Sequence, residues 1–286
     1  MTDTFKAKLS EVLNEPIKNM SAVLGGDISD AFKLETASNI YFLKCHNGPD
    51  AFSMFETESQ GLNLLSKTHS VKTPEVIAFD TFEKLSFLLL EFIPSKSPNS
   101  QDYEVFGTQL ANLHLNTTDA FGLDHDNKIG RLAQSNSQHK TWCSFYTYER
   151  LLPQLNLALQ KGLLQDQDCP SVERMTTVLS GFFSNVTPGL LHGDLWSGNF
   201  LISETGIPYL IDPAVYYGDG LVDIAMSKLF GGFGPEFYDA YHDIIPKDNA
   251  YAERIDLYQL YYLLVHLNLF GASYRPGVKR ILSRYF

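Results

Sequence analysis

Leu190-Leu191-His192-Gly193-Asp194-Leu195-Trp196-Ser197-Gly198-Asn199-Phe200 is the stretch from which the rest of the chain can be read. Apolar residues close both ends, and a polar loop containing glycine lies between them. A carboxylate, Asp194, and an amide, Asn199, stand five positions apart in that loop. A second apolar run, Tyr209-Leu210-Ile211, stops directly on Asp212. The pattern predicts two short strands that deliver Asp194, Asn199 and Asp212 to neighbouring loop ends.

Phosphoryl transfer needs that set of groups. One carboxylate orients the attacking hydroxyl and takes its proton, while an amide and a second carboxylate hold magnesium on the phosphates. The order Asp, Asn, then Asp after a further strand is that of a kinase catalytic loop and metal aspartate. His-Gly-Asp alone would fit a polar hairpin loop equally well. The ordered set is what points to chemistry.

Composition narrows the class. The chain has 286 residues, enough for a full core and one or two domains. Hydrophobic residues make up 44% and aromatics 13%, which excludes a disordered chain. A net charge of -11 argues against a nucleic-acid partner and tolerates cationic substrates. Cys45, Cys143 and Cys169 are too scattered for a disulfide framework or a zinc site. The start, Met1-Thr2-Asp3-Thr4-Phe5, lacks the basic and apolar regions of a signal peptide, and no apolar run approaches the ~20 residues of a membrane span. A cytoplasmic protein without a membrane partner is expected.

Working outward, residues 4–20 read as an amphipathic helix with Phe5, Leu9, Val12 and Leu13 on one stripe. Gly25-Gly26 then sits between strand-like ends, where glycine lets backbone amides approach phosphate oxygens. It is not a Walker loop, because no Gly-Lys-Ser/Thr follows. Ile40-Tyr41-Phe42-Leu43-Lys44 is a strand, and residues 51–66 scan as a helix carrying Phe52, Phe55, Leu62 and Leu65. Glu58 falls on that apolar face, where a carboxylate needs a partner to stay ionised. Lys44 can supply it, giving the strand-lysine and helix-glutamate pair that positions nucleotide phosphates in kinases.

Residues 71–78 read as a strand punctuated by Pro74. Phe87-Leu88-Leu89-Leu90-Glu91-Phe92-Ile93 is a buried strand that stops at Pro94. The Ser/Pro/Asn-rich stretch beyond it marks a boundary, with domains expected at 1–93 and 94–286. In a two-lobed kinase the backbone of Glu91, Phe92 and Ile93 would pair with adenine. Helices follow at 103–116, from Trp142 to about 163, at 171–185, from about 222, and at 251–270, with a polar loop over 117–140. His114 reads as a satisfied packing histidine, and Asp223 as a helix-start cap or a support for the catalytic-loop backbone.

The chain resembles the fructosamine/ketosamine kinases, a branch of the aminoglycoside-phosphotransferase-like kinases, over nearly its whole length. The matching pieces include Gly25-Gly26-Asp27-Ile28-Ser29, Met54-Phe55-Glu56-Thr57-Glu58, residues 130–136, Leu191–Asn199 and Ile211-Asp212-Pro213-Ala214. His266-Leu267-Asn268-Leu269-Phe270-Gly271 completes the set. Leu195-Trp196-Ser197-Gly198 is the discriminating block. The resemblance implies an α+β, protein-kinase-like fold of two lobes. The small N-lobe would be an antiparallel sheet with one key helix, and the larger C-lobe mainly helical. It further implies ATP-dependent phosphorylation of a free or protein-bound ketosamine, usually at its 3-hydroxyl, linked to deglycation. Asp194 would be the catalytic base and Asn199 and Asp212 the Mg2+ ligands. Lys44, Glu58, Gly25 and Gly26 would serve the nucleotide, and Trp196 would wall the acceptor site. An aminoglycoside- or choline-like acceptor, and a pseudokinase that only binds nucleotide, are the alternatives.

Overall fold

The computed structural model describes residues 2–23, 29–183 and 185–286, so Gly25 and Gly26 lie outside the described residues. The chain forms two compact units, Met1–Ser97 with Leu201–Asp212, and Pro98–Phe200 with Pro213–Phe286.

The first unit opens with α1 (Asp3–Leu13), β1 (Asn19–Val23), β2 (Asp30–Glu35), β3 (Ile40–His46), α2 (Ala51–Lys67), β4 (Val76–Phe82), β5 (Leu85–Glu91) and β6 (Ser95–Lys96). Five of these strands make an antiparallel sheet in the order β1-β2-β3-β5-β4. Alternation along β5 explains its unbroken apolar run. Phe87 and Leu89 pack with Phe5 and Leu9 of α1, Leu34 and Leu43. Leu88 and Leu90 pack on the other face with Phe55 and Leu62 of α2. Register pairs Lys44 of β3 with Leu88, so Lys44 shares the face of the sheet that α2 covers.

The second unit begins with α3 (Ser100–His114), the hairpin β7 (Asn127–Ile129) and β8 (Leu132–Gln134), and α4 (Trp142–Phe145). A π-helical turn, Tyr146–Leu151, leads into α5 (Leu152–Gln160), α6 (Val172–Phe182) and β9 (Gly189–Leu191). The chain then rejoins the first unit through β10 (Phe200–Ser203) and β11 (Pro208–Leu210), where β10 pairs with β6 and Leu210 N–H bonds the Lys72 carbonyl. It returns with β12 (Tyr216–Gly218), α7 (Leu221–Leu229), α8 (Pro235–Ile244), α9 (Tyr251–Phe270) and α10 (Arg275–Tyr285). β12 pairs antiparallel with β9, setting Tyr216 opposite Leu191. α9 is buried along most of its length, from Leu257 to Leu267, and serves as the unit's central helix. The antiparallel sheet with a covering helix, followed by a mainly helical remainder, is the expected α+β architecture.

Local expectations needed correction. The helix expected over 4–20 ends at Leu13, where Asn14 turns left-handed at φ 50. Pro16 lacks the N–H a helix interior needs and restricts Glu15, so the chain re-emerges as β1. The strand expected over 71–78 starts only at Val76, beyond Pro74. The loop expected over 117–140 contains the β7–β8 hairpin. The helix from Trp142 ends at Gln160 rather than near 163, and its turn at Tyr146–Leu151 is π-helical.

Candidate active site

The groups expected to do chemistry fall into two sets, one per unit. In the first unit β3, α2 and the end of the β10–β11 segment bring Lys44, Glu58 and Asp212 together. Lys44 Nζ donates to Glu58 Oε1 at 2.7 Å and also to the Asp212 carboxylate. Burial works against the Lys44 charge, but the Asp212 and Glu58 carboxylates outweigh it and hold the ammonium above its ordinary value. Glu58 lies on the apolar face of α2, as its spacing from Phe55 and Leu62 demanded. Burial pushes its carboxyl up to about 7; Lys44 pulls the other way and Asp212 adds like-charge repulsion. Asp212 sits at φ 54, directly before Pro213. A non-glycine residue in that region, further restricted by a following proline, stores on the order of 1–3 kcal/mol of strain. Strain of that size persists where the surroundings over-determine the conformation, and here the Lys44 ion pair fixes the carboxylate.

In the second unit the loop after β9 carries Asp194, Trp196 and Asn199. Asn199 Nδ2 donates to the Asp194 carbonyl at 2.8 Å and to Asp194 Oδ2 at 3.2 Å. The amide thus closes the loop and orients the carboxylate. Asn199 N–H bonds the Trp196 carbonyl at 2.9 Å, making a turn over 196–199. His192 is fully buried, and its Nδ1 accepts from the Asp194 N–H at 3.2 Å. Gly193 has φ +85, and a Cβ there would stand 2.1 Å from the Ala214 carbonyl oxygen. Only glycine allows the two backbones to approach this closely.

Behind the loop lies a buried support. Asp223 of α7 accepts from the His192 and Gly193 N–H groups, each at 2.8 Å. This is the loop-supporting alternative of the two sequence readings. His114 Nε2 donates to Asp223 Oδ2 at 3.1 Å, and its Nδ1 pairs with the Tyr241 hydroxyl at 2.8 Å. Tyr262 of α9 donates to the Gly193 carbonyl at 2.7 Å. Ala214 N–H bonds the His192 carbonyl at 2.9 Å, and Gln134 Nε2 donates to the Ala214 carbonyl at 3.2 Å. Asn127 Nδ2 completes the row on the Val215 carbonyl at 2.8 Å. Sequence reasoning missed Tyr262 and Asn127 as supports. A tyrosine inside an apolar helix reads as core, and only its hydroxyl's need for a partner hints at more.

Of the remaining expected residues, Glu91, Phe92 and Ile93 are placed, and Gly25 and Gly26 lie outside the described residues. Glu91 ends β5, and its N–H is committed to the Glu75 carbonyl at 2.9 Å. Ile93 is buried, and Lys33 Nζ lies 5.3 Å from the Phe92 ring centroid. Among the described residues no cluster of three or more His, Cys, Asp or Glu could hold a metal.

A model of the fructosamine kinase family matches residues 1–286. The chain belongs to the fructosamine kinase family. It is 40% identical over 282 residues to a probable ketoamine kinase from Lactiplantibacillus plantarum, covering 98% of this chain and 99% of the relative. The crystal structure of a protein from Thermobifida fusca assigned as a fructosamine-3-kinase is similar with a TM-score of 0.87 at 30% identity, over 99% of this chain and 98% of that one. An aminoglycoside phosphotransferase, APH(4)-Ia, in ternary complex with AMP-PNP and hygromycin B, has a TM-score of 0.65 at 18% identity, over 99% and 98% of the two chains. That likeness shows the shared protein-kinase-like fold. Membership of the fructosamine kinase family makes the protein a phosphotransferase, and the pseudokinase alternative loses its ground.

Proposed function

We propose that the protein transfers the γ-phosphoryl group of ATP to O3 of a ketosamine such as fructosamine or ribulosamine, free or protein-bound, as a deglycation step. The observation that carries this reading is the Asp194–Asn199 pair, a carboxylate aimed by an amide on a loop held by buried hydrogen bonds, in a fructosamine kinase chain. Asp194 orients the sugar hydroxyl and accepts its proton. Lys44, held by Glu58, binds the α- and β-phosphates. Gly25 and Gly26 cover the phosphates with backbone amides. Glu91 N–H is engaged, so the donor toward adenine falls to Phe92 or Ile93. Trp196, 38% exposed, walls the acceptor site, where its ring packs on the sugar or attracts the ketosamine ammonium.

The donor set fits magnesium, which takes hard oxygen ligands and draws the rest of its octahedron from phosphate and water. Asn199 Nδ2 is engaged by Asp194, so its Oδ1 would be the atom to hold the ion, and the Asp212 carboxylate would supply a second oxygen. Bound there, the ion would neutralise charge developing on the phosphates. Residues 1–93 would serve the nucleotide and 94–286 the catalytic loop and acceptor. A cytoplasmic location fits, and no described helix is long and apolar enough to cross a membrane.

Asp194→Asn tests the reading. Turnover of a ketosamine should fall by about 10³-fold, within the range for loss of a general base, while ATP affinity stays within a few-fold of wild type. Retained turnover would remove Asp194 from the chemistry. Comparing fructosyl-, ribulosyl- and erythrulosyl-lysine as acceptors would then rank the substrates.

A further inference from the structure

Two glycines punctuate the loop between Asp194 and its neighbours, and only one is explained by the backbone. Gly193 is left-handed, whereas Gly198 is not among the residues with positive φ. At its place in the 196–199 turn any L-residue would be accommodated by the main chain. What excludes a side chain is the indole of Trp196. A Cβ on Gly198 would stand 2.3 Å from Cη2, 2.4 Å from Cζ2 and 2.8 Å from Cζ3 of that ring. The six-membered ring therefore lies directly against the Gly198 backbone, and the turn bond from Asn199 N–H to the Trp196 carbonyl ties both ends of the arrangement together.

We propose that Gly198 is a specificity-determining residue: its missing side chain seats the Trp196 indole on the catalytic turn, and the seated ring presents a fixed aromatic wall to the ketosamine. This rests on the reading of Trp196 as the acceptor wall. A methyl group at position 198 forces the ring off its seat. The obstructing atoms are the far edge of a partly exposed side chain, so the ring swings away and the fold is kept. An aromatic wall discriminates through geometry: its face must meet the sugar C–H groups or the protonated amine within about 6 Å to contribute. A displaced ring forfeits that contact while leaving the nucleotide side untouched.

Three variants test this: Gly198→Ala, Trp196→Ala and the double. The chain holds two tryptophans, and Trp142 is buried at 2% exposure, so acrylamide quenching reports on Trp196. Gly198→Ala should increase quenching, raise the ketosamine KM about 10-fold and leave the ATP KM unchanged. In the double variant the methyl group meets no ring, so its kinetics should equal those of Trp196→Ala. A Gly198→Ala enzyme with wild-type acceptor KM, beside a Trp196→Ala enzyme with a raised one, overturns the role of Gly198 alone. A wild-type acceptor KM in Trp196→Ala overturns the acceptor-wall reading and the inference with it. Should Gly198→Ala lose more than about 5 °C in Tm, recovery in the double variant assigns the loss to the ring and supports the seat, and no recovery overturns it.

Discussion

Glu58 shares a single ammonium with a second carboxylate, and that shortage sets its proton affinity. Its carboxyl, raised to about 7 by burial, binds a proton in the fold at pH values where the unfolded chain has already released it. The folded state therefore holds more protons between about 4.5 and 7, and stability falls as pH rises through that window. Relative to Glu58→Gln, nucleotide-free wild type should lose stability between pH 4 and pH 8, measured by denaturant unfolding at each pH. A difference that grows more favourable to wild type with pH would contradict this assignment. The Lys44–Glu58 pair was legible in the sequence, because a carboxylate on the apolar stripe of a helix demands a cation, and β3 offered one. The support around Gly193 was harder to read. Asp223 left two roles open, and Tyr262 differs from a packing residue only by where its hydroxyl ends.

At the scale of elements, the π-helical turn Tyr146–Leu151 is the least legible piece. Nothing in its composition separates it from the helix expected there. Arg150 gives the physical reason for its placement. Its guanidinium is fully buried, with Nη1 donating to the Ser135 carbonyl at 2.6 Å and Nη2 to Asn136 Oδ1 at 2.7 Å. It lies 3.9 Å from the Tyr216 ring centroid and 4.6 Å from that of Phe145. π-helical turns are rare and occur mostly as single turns inside α-helices. Here one aims a cation between the loop after β8 and strand β12. Arg150→Ala should destabilise the protein by about 3–5 kcal/mol, by opening a hole among aromatic rings and leaving buried acceptors unpaired. Arg150→Met fills the same space without a charge to bury and should lose less. Thermal denaturation of both variants checks the order. Helices with strong periodicity, such as α2, α3 and α9, were legible, α9 to both its ends, whereas the end of α1 was not, and Pro16 shows why. A single missing N–H outweighs several well-spaced apolar residues.

For the molecule as a whole, the notable fact is that the first unit is assembled from two separate stretches. Residues 201–212 pair with β6 and with the Lys72 backbone, so a contiguous amino-terminal fragment lacks two of its strands. A polypeptide ending at Ser97 should therefore unfold at lower denaturant than one in which 201–212 is appended through a short flexible linker, as followed by far-UV circular dichroism. Equal stability would mean that the returning strands contribute nothing to the unit. The return of residues 201–212 to the first unit was not legible, because a twelve-residue stretch carries no compositional mark of the unit it rejoins. That return also imposes a ruler on molecular evolution. Asn199 stands just before it and Asp212 is its last residue, with a tight hairpin between, in which Ser203 N–H bonds the Ile207 carbonyl and Gly206 is left-handed at φ 82. Insertions and deletions inherited by descendants of this gene should collect at the hairpin tip, residues 204–207, because a change of length elsewhere in the interval would throw two separately anchored side chains, the ones proposed to hold magnesium, out of step.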